Sequence, residues 1–468
     1  MTDWNRRDFM KCTAAGTLAL SLPLSATARR GGRKPNIIFI MVDDMGIGDV
    51  GCYGQKLIHT SQMDKMAEEG TRFTDCYTGS PVCAPCRCIL MTGLHSGHCR
   101  RRGNKVKAHA NDMDAKKGLL PLAKTDFTVA AMLKKAGYVT GGFGKWGLGN
   151  PGTTGTPDKH GFDTFYGYLD QVHAHTYYTD HLYRDSKRED IPPGKDGKQP
   201  YSHHLIADET LKFIRKNKDR PFFCYVPWTP PHGRFEIPSQ GIYADKKWTE
   251  KQKNYAAMVT LLDTDLGRLL DLLKELKIDE HTIVFFTSDN GPNKQWLQHF
   301  DSSGPYRGVK RQLYEGGIRM PMIVRWPGKV PAGKTSDFAW TFADFMATAA
   351  ELAGTEPPKK TDSMSVLPTL LGRKQEPHKH LYWEFYSPFH QAVRIGNFKG
   401  VRYGTKEPIE LYDLASDPGE KKDIAEKHPK ICKQMAAIMR SEHADTPYWP
   451  THERRKAKGG KRKRKGKD

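Results

Sequence analysis

A run that is apolar but for Asn36, Pro35-Asn36-Ile37-Ile38-Phe39-Ile40-Met41-Val42, stops abruptly at two acids, Asp43 and Asp44. A strand that is apolar at every position has both faces buried, as in a parallel sheet covered by helices. Functional groups in such sheets gather where the strands end. The pattern recurs at Thr282-Ile283-Val284-Phe285-Phe286-Thr287, which is followed by Ser288-Asp289-Asn290-Gly291. It recurs again at Pro221-Phe222-Phe223-Cys224-Tyr225-Val226, which leads to Pro230-Pro231-His232. Between these runs, Tyr255 to Leu276 carries Leu and Met at three- and four-residue intervals and predicts an amphipathic helix. Strands alternating with helices predict an α/β domain over 29–373 with a mostly parallel central sheet.

The texture changes after Gly372. His380–Tyr386, Gln391–Ile395, Phe398–Tyr403 and Ile409–Leu414 are short strand-like runs divided by turn residues, and Lys427–His443 reads as a helix. A smaller C-terminal domain over 374–453, an antiparallel sheet with one helix, is expected. The final stretch, 454–468, holds ten Lys/Arg and one acid, so +9 of the net charge of +21 sits in a basic tail expected to be disordered. No nucleic-acid recognition motif accompanies that charge, and nucleic acid is not expected as a partner. The remaining excess suits anionic substrates.

Composition changes the picture at the N-terminus. Arg6-Arg7-Asp8-Phe9-Met10-Lys11, a weakly apolar stretch and then Ala26-Thr27-Ala28 predict a twin-arginine (Tat) export signal over 1–28. The Tat machinery is thus an expected partner, and the expected location is periplasmic or secreted. Mean hydropathy is -0.67, and no apolar run reaches the roughly 18–20 residues that span a bilayer. Nine cysteines do not define a disulfide framework: Cys83, Cys86, Cys88 and Cys99 crowd one segment, the rest are scattered, and no second C-x-x-C pair completes a zinc site.

Cys83-Ala84-Pro85-Cys86-Arg87, continuing to Leu90-Met91-Thr92-Gly93, resembles the C-x-P-x-R element of the sulfatases, members of the alkaline phosphatase superfamily. The resemblance extends over nearly the whole chain after the signal and implies an alkaline phosphatase-like fold. It implies that Cys83 is oxidised to formylglycine by a formylglycine-generating or radical maturation enzyme. A bare thiolate would form a thiosulfate ester without an easy exit. A hydrated aldehyde carries two hydroxyls on one carbon, one to attack sulfur and one to expel sulfate. Arg87 sets a fixed cation beside that carbon. Cys86 stands where the family usually has serine.

Asp43, Asp44, Asp289 and Asn290 are oxygen donors from two strand ends, suited to Ca²⁺ or Mg²⁺; the resemblance favours Ca²⁺. Gly144-Lys145-Trp146-Gly147 resembles the family's G-K-W-H element, and His232 and Lys310 fall at matching positions. The implied roles are sulfate binding by Lys145 and Lys310 and protonation of the departing alcohol by His232, with Lys310 as a second candidate. Glu315-Gly316-Gly317 reads as a structural turn. Gly147 departs from the pattern, since the family usually places a histidine there. In Gln171-Val172-His173-Ala174-His175, His175 or His173 is the candidate to enter the site instead, as a base or as a sugar contact.

The expected reaction is hydrolysis of a sulfate ester, with a sulfated carbohydrate preferred because Phe165 to Tyr183 is aromatic and histidine-rich. Two rivals share many of these residues: a phosphonate monoester or phosphodiester hydrolase of the same superfamily, and an inactive polyanion-binding envelope protein.

Overall fold

The computed structural model describes residues 33–106, 119–386 and 388–449; the expected export signal and the basic tail lie outside the described residues. The large sheet has ten strands: β1 (Asn36–Val42), β2 (Thr71–Phe73), β3 (Val139–Lys145), β4 (Thr164–Tyr168), β5 (His181–Arg184), β6 (Lys187–Asp190), β7 (Phe222–Val226), β8 (Thr282–Ser288), β9 (Met322–Arg325) and β10 (Lys334–Ser336). Across the sheet they run β10-β2-β9-β8-β1-β7-β3-β4-β5-β6. The centre is parallel: β1 pairs with β8 and β7, and β3 with β7 and β4. Antiparallel pairings appear toward the margins, at β8–β9, β9–β2, β4–β5 and β5–β6.

The absence of alternation in β1 has a direct cause. Ile37, Phe39 and Met41 enter the core on one face of the sheet, and Ile38, Ile40 and Val42 enter the core on the other. β7 and β8 divide their side chains in the same way. The helices packed into these cores include α1 (Cys83–Thr92), α2 (Ser202–Asn217) and α3 (Glu250–Glu275). α3 starts five residues earlier than its apolar spacing predicts. Thr249 Oγ1 accepts from the Gln252 N–H at 3.3 Å, and Gln252 Oε1 accepts from the Thr249 N–H at 2.8 Å, a capping box that holds a wholly polar first turn.

The second sheet is antiparallel, β11 (Leu381–Tyr386), β12 (Phe389–Ile395), β13 (Phe398–Arg402) and β14 (Glu410–Asp413), with α4 (Pro429–Ser441) packed on it through Met435 and Met439. These elements fall within two residues of their sequence-read ends.

A buried charge cluster joins the second sheet to the loop that comes after Lys310. Lys399, on β13, has its Nζ 2.7 Å from Glu315 Oε1 and 3.0 Å from Glu420 Oε1. Glu315 also receives Arg319 at 3.0 Å and the Tyr77 hydroxyl at 2.6 Å. The Glu-Gly-Gly segment is thus a short helical turn, Glu315–Ile318, pinned through Glu315 by two cations and a hydroxyl. Removing one member of a buried ion set strands the others in a medium that cannot solvate them. Lys399→Met should therefore lower the unfolding free energy by about 3–5 kcal/mol in urea titrations; a change of less than about 1 kcal/mol would show that this cluster does not anchor the loop.

Candidate active site

Four neighbouring strand ends converge on one pocket. β1 delivers Asp43 and Asp44, β8 delivers Asp289 and Asn290, β3 ends on Lys145, and the segment after β7 carries His232. The parallel register places Val42 opposite Ser288, and the Asp289 N–H donates to Val42 O at 2.9 Å, so the two acidic turns are locked side by side. α1 brings Cys83 at its first residue and Arg87 one turn later. Asp43, Asp44, Cys83, Arg87, Lys145, His175, His232, Asp289, Asn290 and Lys310 lie in or against this pocket; His173 does not.

Arg87 is completely buried and holds the centre together. One NH2 group lies 3.1 Å from Asp43 Oδ2 and 2.9 Å from Asp289 Oδ2, while NH1 donates to Lys145 O at 2.5 Å. Lys145 Nζ sits 2.6 Å from Asp43 Oδ2. Lys310 Nζ sits 2.5 Å from Asp44 Oδ1 and 4.0 Å from Cys83 Sγ. His232 Nε2 is 3.3 Å from Asp44 Oδ2.

Three carboxylates and three permanent cations share this space, and their ionisation reflects that. Burial alone would raise Asp43, but the charges on Lys145 and Arg87 outweigh it and hold the acid well below the carboxylate range. Asp289 is pushed up to about 7 by burial and by the charge on Asp43. Burial works against charge on both lysines, yet Asp43 raises Lys145 and Asp44 raises Lys310, so both stay protonated. His232 is driven down to about 3 by burial and rests neutral. Burial also raises the Cys83 thiol despite the two lysines, so the unmodified side chain is not a poised thiolate.

The donor set suits a hard divalent cation. Carboxylate oxygens of Asp43, Asp44 and Asp289 lie within 4.8 Å of one another. Asp43 Oδ1 and Asn290 Oδ1 are buried acceptors with no hydrogen-bond donor, while Asn290 Nδ2 is spent on Asp44 Oδ1 at 2.7 Å and Gly291 O at 2.9 Å. A buried acceptor without a donor is costly unless a cation takes its lone pairs.

The two candidate histidines separate. His175 lines the pocket with Asp44, His232 and Lys310, and its ring stacks on His232 with centroids 4.3 Å apart. Burial lowers its basicity, so it too rests neutral. His173 turns away to Thr179 Oγ1 at 2.7 Å and stacks on His181. Gly147 has its own explanation. Its φ is +74°, where only glycine is unstrained, and a Cβ there would lie 2.1 Å from Gln171 Nε2. A histidine at this position would be strained by the backbone and would have to displace the end of the Gln171 side chain. One further residue emerges only in three dimensions: Asn104 accepts the Ala84 N–H through Oδ1 at 3.1 Å and sets Nδ2 3.9 Å from Cys83 Sγ.

Comparison with known proteins agrees with this architecture. Residues 35–355 match the family model described as Sulfatase, and 307–445 match that described as N-sulphoglucosamine sulphohydrolase, C-terminal. An N-acetylgalactosamine-6-sulfatase from Canis lupus familiaris is 32% identical over 414 residues, covering 82% of this chain and 76% of that one. An arylsulfatase from Hemicentrotus pulcherrimus is 32% identical over 410 residues, covering 81% and 70%. Among solved structures, Ps i-CgsB in complex with k-i-k-neocarrahexaose aligns with a TM-score of 0.78 at 26% identity, covering 92% of this chain and 98% of that one.

The donor geometry yields a test independent of turnover. A ligand that binds only the folded state stabilises it by about 2.7 kcal/mol at a hundredfold excess over its Kd. Ca²⁺ or Mg²⁺ should therefore raise the thermal midpoint of chelator-treated protein. Asp289→Ala should abolish the response; an unchanged response in that variant would put the cation elsewhere.

Proposed function

The chain belongs to the sulfatase family and is a sulfuric ester hydrolase, and from that premise we propose that it removes sulfate from a glycan, using formylglycine made from Cys83 and one divalent cation. The carrying observation is the position of residue 83. It stands at the first turn of α1, with Lys310 and Asn104 against its side chain and the Arg87-linked carboxylates behind it. The orphaned oxygens on Asp43 and Asn290, together with Asp44 and Asp289, are the residues that would hold the ion. Ca²⁺ is the reading preferred on family grounds.

Formylglycine, once formed, supplies a carbon with two exchangeable hydroxyls, and the cation supplies acidity to an oxygen held beside it. The remaining work falls to the chain's own side chains. Lys145 and Lys310 keep their charge and face the place where sulfate oxygens would gather, so negative charge that builds during transfer meets fixed cations rather than water. Arg87 does not need to touch substrate: it fixes the spacing of Asp43 and Asp289. The departing alcohol oxygen must take a proton. Lys310 holds one at rest, whereas His232 rests neutral and a bound cation would lower its basicity further. Both line the pocket, and they are the two candidates to deliver that proton. His175, neutral and stacked on His232, is the base we assign to the place left empty by Gly147.

Glycan substrates are supported by what the relatives named above act on, and by a pocket lined with Phe235 and Trp296 as well as charge. Export by the Tat route is part of the same proposal: a protein that crosses the membrane folded would be oxidised and loaded with metal before it leaves.

The test uses protein co-expressed with a maturation enzyme and a chromogenic aryl sulfate. Intact mass should show loss of the thiol at position 83, and Cys83→Ala should abolish turnover; an ordinary thiol in fully active protein would overturn the mechanism. A phosphonate monoester should be cleaved far more slowly, and the reverse preference would favour the rival hydrolase. His175→Ala should lower kcat by about 10²-fold or more if the ring moves a proton. A change confined to KM would make it a sugar contact instead.

A further inference from the structure

The cavity lined by Asp44, His175, His232 and Lys310 does not end with them. It is a cavity of about 370 Å³ that continues outward past His175 and Phe235 to an exposed rim carrying Lys294 and Arg311. Three features set this rim apart. The first is its charge: Asp44, already held by Lys310 and His232, is the only acid among the lining residues. Lys294 and Arg311 have no carboxylate partner among the described residues. A second surface cleft, around Arg184 and Lys212, shows the ordinary arrangement, with Glu209 2.9 Å from Arg184 and 2.8 Å from Lys212.

The second feature is strain. Seven non-glycine residues among those described have positive φ, and three of them, Asp44 (64°), Phe235 (49°) and Arg311 (77°), line this cavity. Such conformations persist only where the surroundings impose them, and they cluster where a side chain must be aimed. At Arg311 the constraint is visible: its N–H donates to Pro81 O at 2.9 Å, two residues ahead of Cys83. The third feature is a floor. Phe235 is half-buried and braced edge-on by Trp296, with ring centroids 4.8 Å apart, and both rings line the same cavity as the catalytic groups and the rim cations.

We propose that this rim is a second anion subsite, formed by Lys294 and Arg311, for a sulfate or carboxylate on the same sugar chain as the ester being cleaved, with a ring stacked on Phe235 between them. The proposal rests on the glycan-sulfatase reading above and narrows the substrate class to saccharides that carry at least two negative groups. A neutral neighbouring sugar would leave both cations without a partner. A guanidinium is suited to either anion, because its forked donors match the oxygens of sulfate and carboxylate alike.

Binding to the Ca²⁺-loaded Cys83→Ala protein tests this without turnover. Three disaccharides are compared by calorimetry: one with a single sulfate on neutral sugars, one with two sulfates, and one with a sulfate and a uronic acid carboxylate. At least one doubly charged sugar should bind about tenfold more tightly than the singly charged one, as expected for a charge-assisted contact. Which of the two does so identifies the second group. Lys294→Glu with Arg311→Glu should erase that preference. Equal affinities for all three sugars, or a preference that survives the double charge reversal, would overturn the subsite. Failure of the glycan-sulfatase reading looks different: matured wild-type protein would release no sulfate from any of the three, whatever the order of their affinities.

Discussion

Arg87 is the point at which fold and site become one object. Its guanidinium spans two carboxylates on neighbouring strand ends and a backbone oxygen on a third strand, all without access to water. Without it, Asp43 and Asp289 would face each other across a buried gap, and one would take up a proton; Asp289 already titrates near 7 with the arginine in place. A carboxyl that holds a proton is a poor cation ligand. The arginine therefore governs whether the acidic turns can serve as a metal cage, although it coordinates nothing itself. It also ties α1 to the sheet, so the helix that presents residue 83 cannot shift without disturbing the cage.

Much of this site could be read from the chain because each piece sits where an apolar run stops. β1, β7 and β8 are buried on both faces, which makes them conspicuous, and the polar site residues follow their ends. The margins of the sheet give no such signal. β6 is Lys187-Arg188-Glu189-Asp190, four charged residues that are largely exposed, and hydrophobic patterning has nothing to detect there. The first turn of α3 was hidden for the same reason. Its capping box was legible as Thr249-x-x-Gln252, a local signal that apolar spacing ignores.

The residues missed at the site share a different trait. Asn104 lies twenty-one positions after Cys83, in a loop with no periodic pattern, and only folding brings its amide back to the helix start. The choice between His173 and His175 also depends on folding, because two histidines one residue apart in a short 3₁₀ turn face different neighbours. Gly147 shows the converse. What reads in sequence as a lost catalytic group is a backbone position with left-handed φ, its side-chain space filled by Gln171.

The order of strands has a bearing on how this chain acquires its structure. β1 is made early, yet both strands that flank it come from far along the chain: β7 begins at residue 222 and β8 at residue 282. Pairings of such long separation are slow to form, and until they do the most apolar strand has two open edges. During synthesis the nascent chain must therefore be shielded from aggregation for most of its length. The same delay keeps the segment around Cys83 accessible, since Lys145 sits on β3, which joins the sheet through β7, and Lys310 follows β8 in the chain. The late closing of the sheet leaves an interval in which a modifying enzyme would have access to a thiol that the finished molecule conceals.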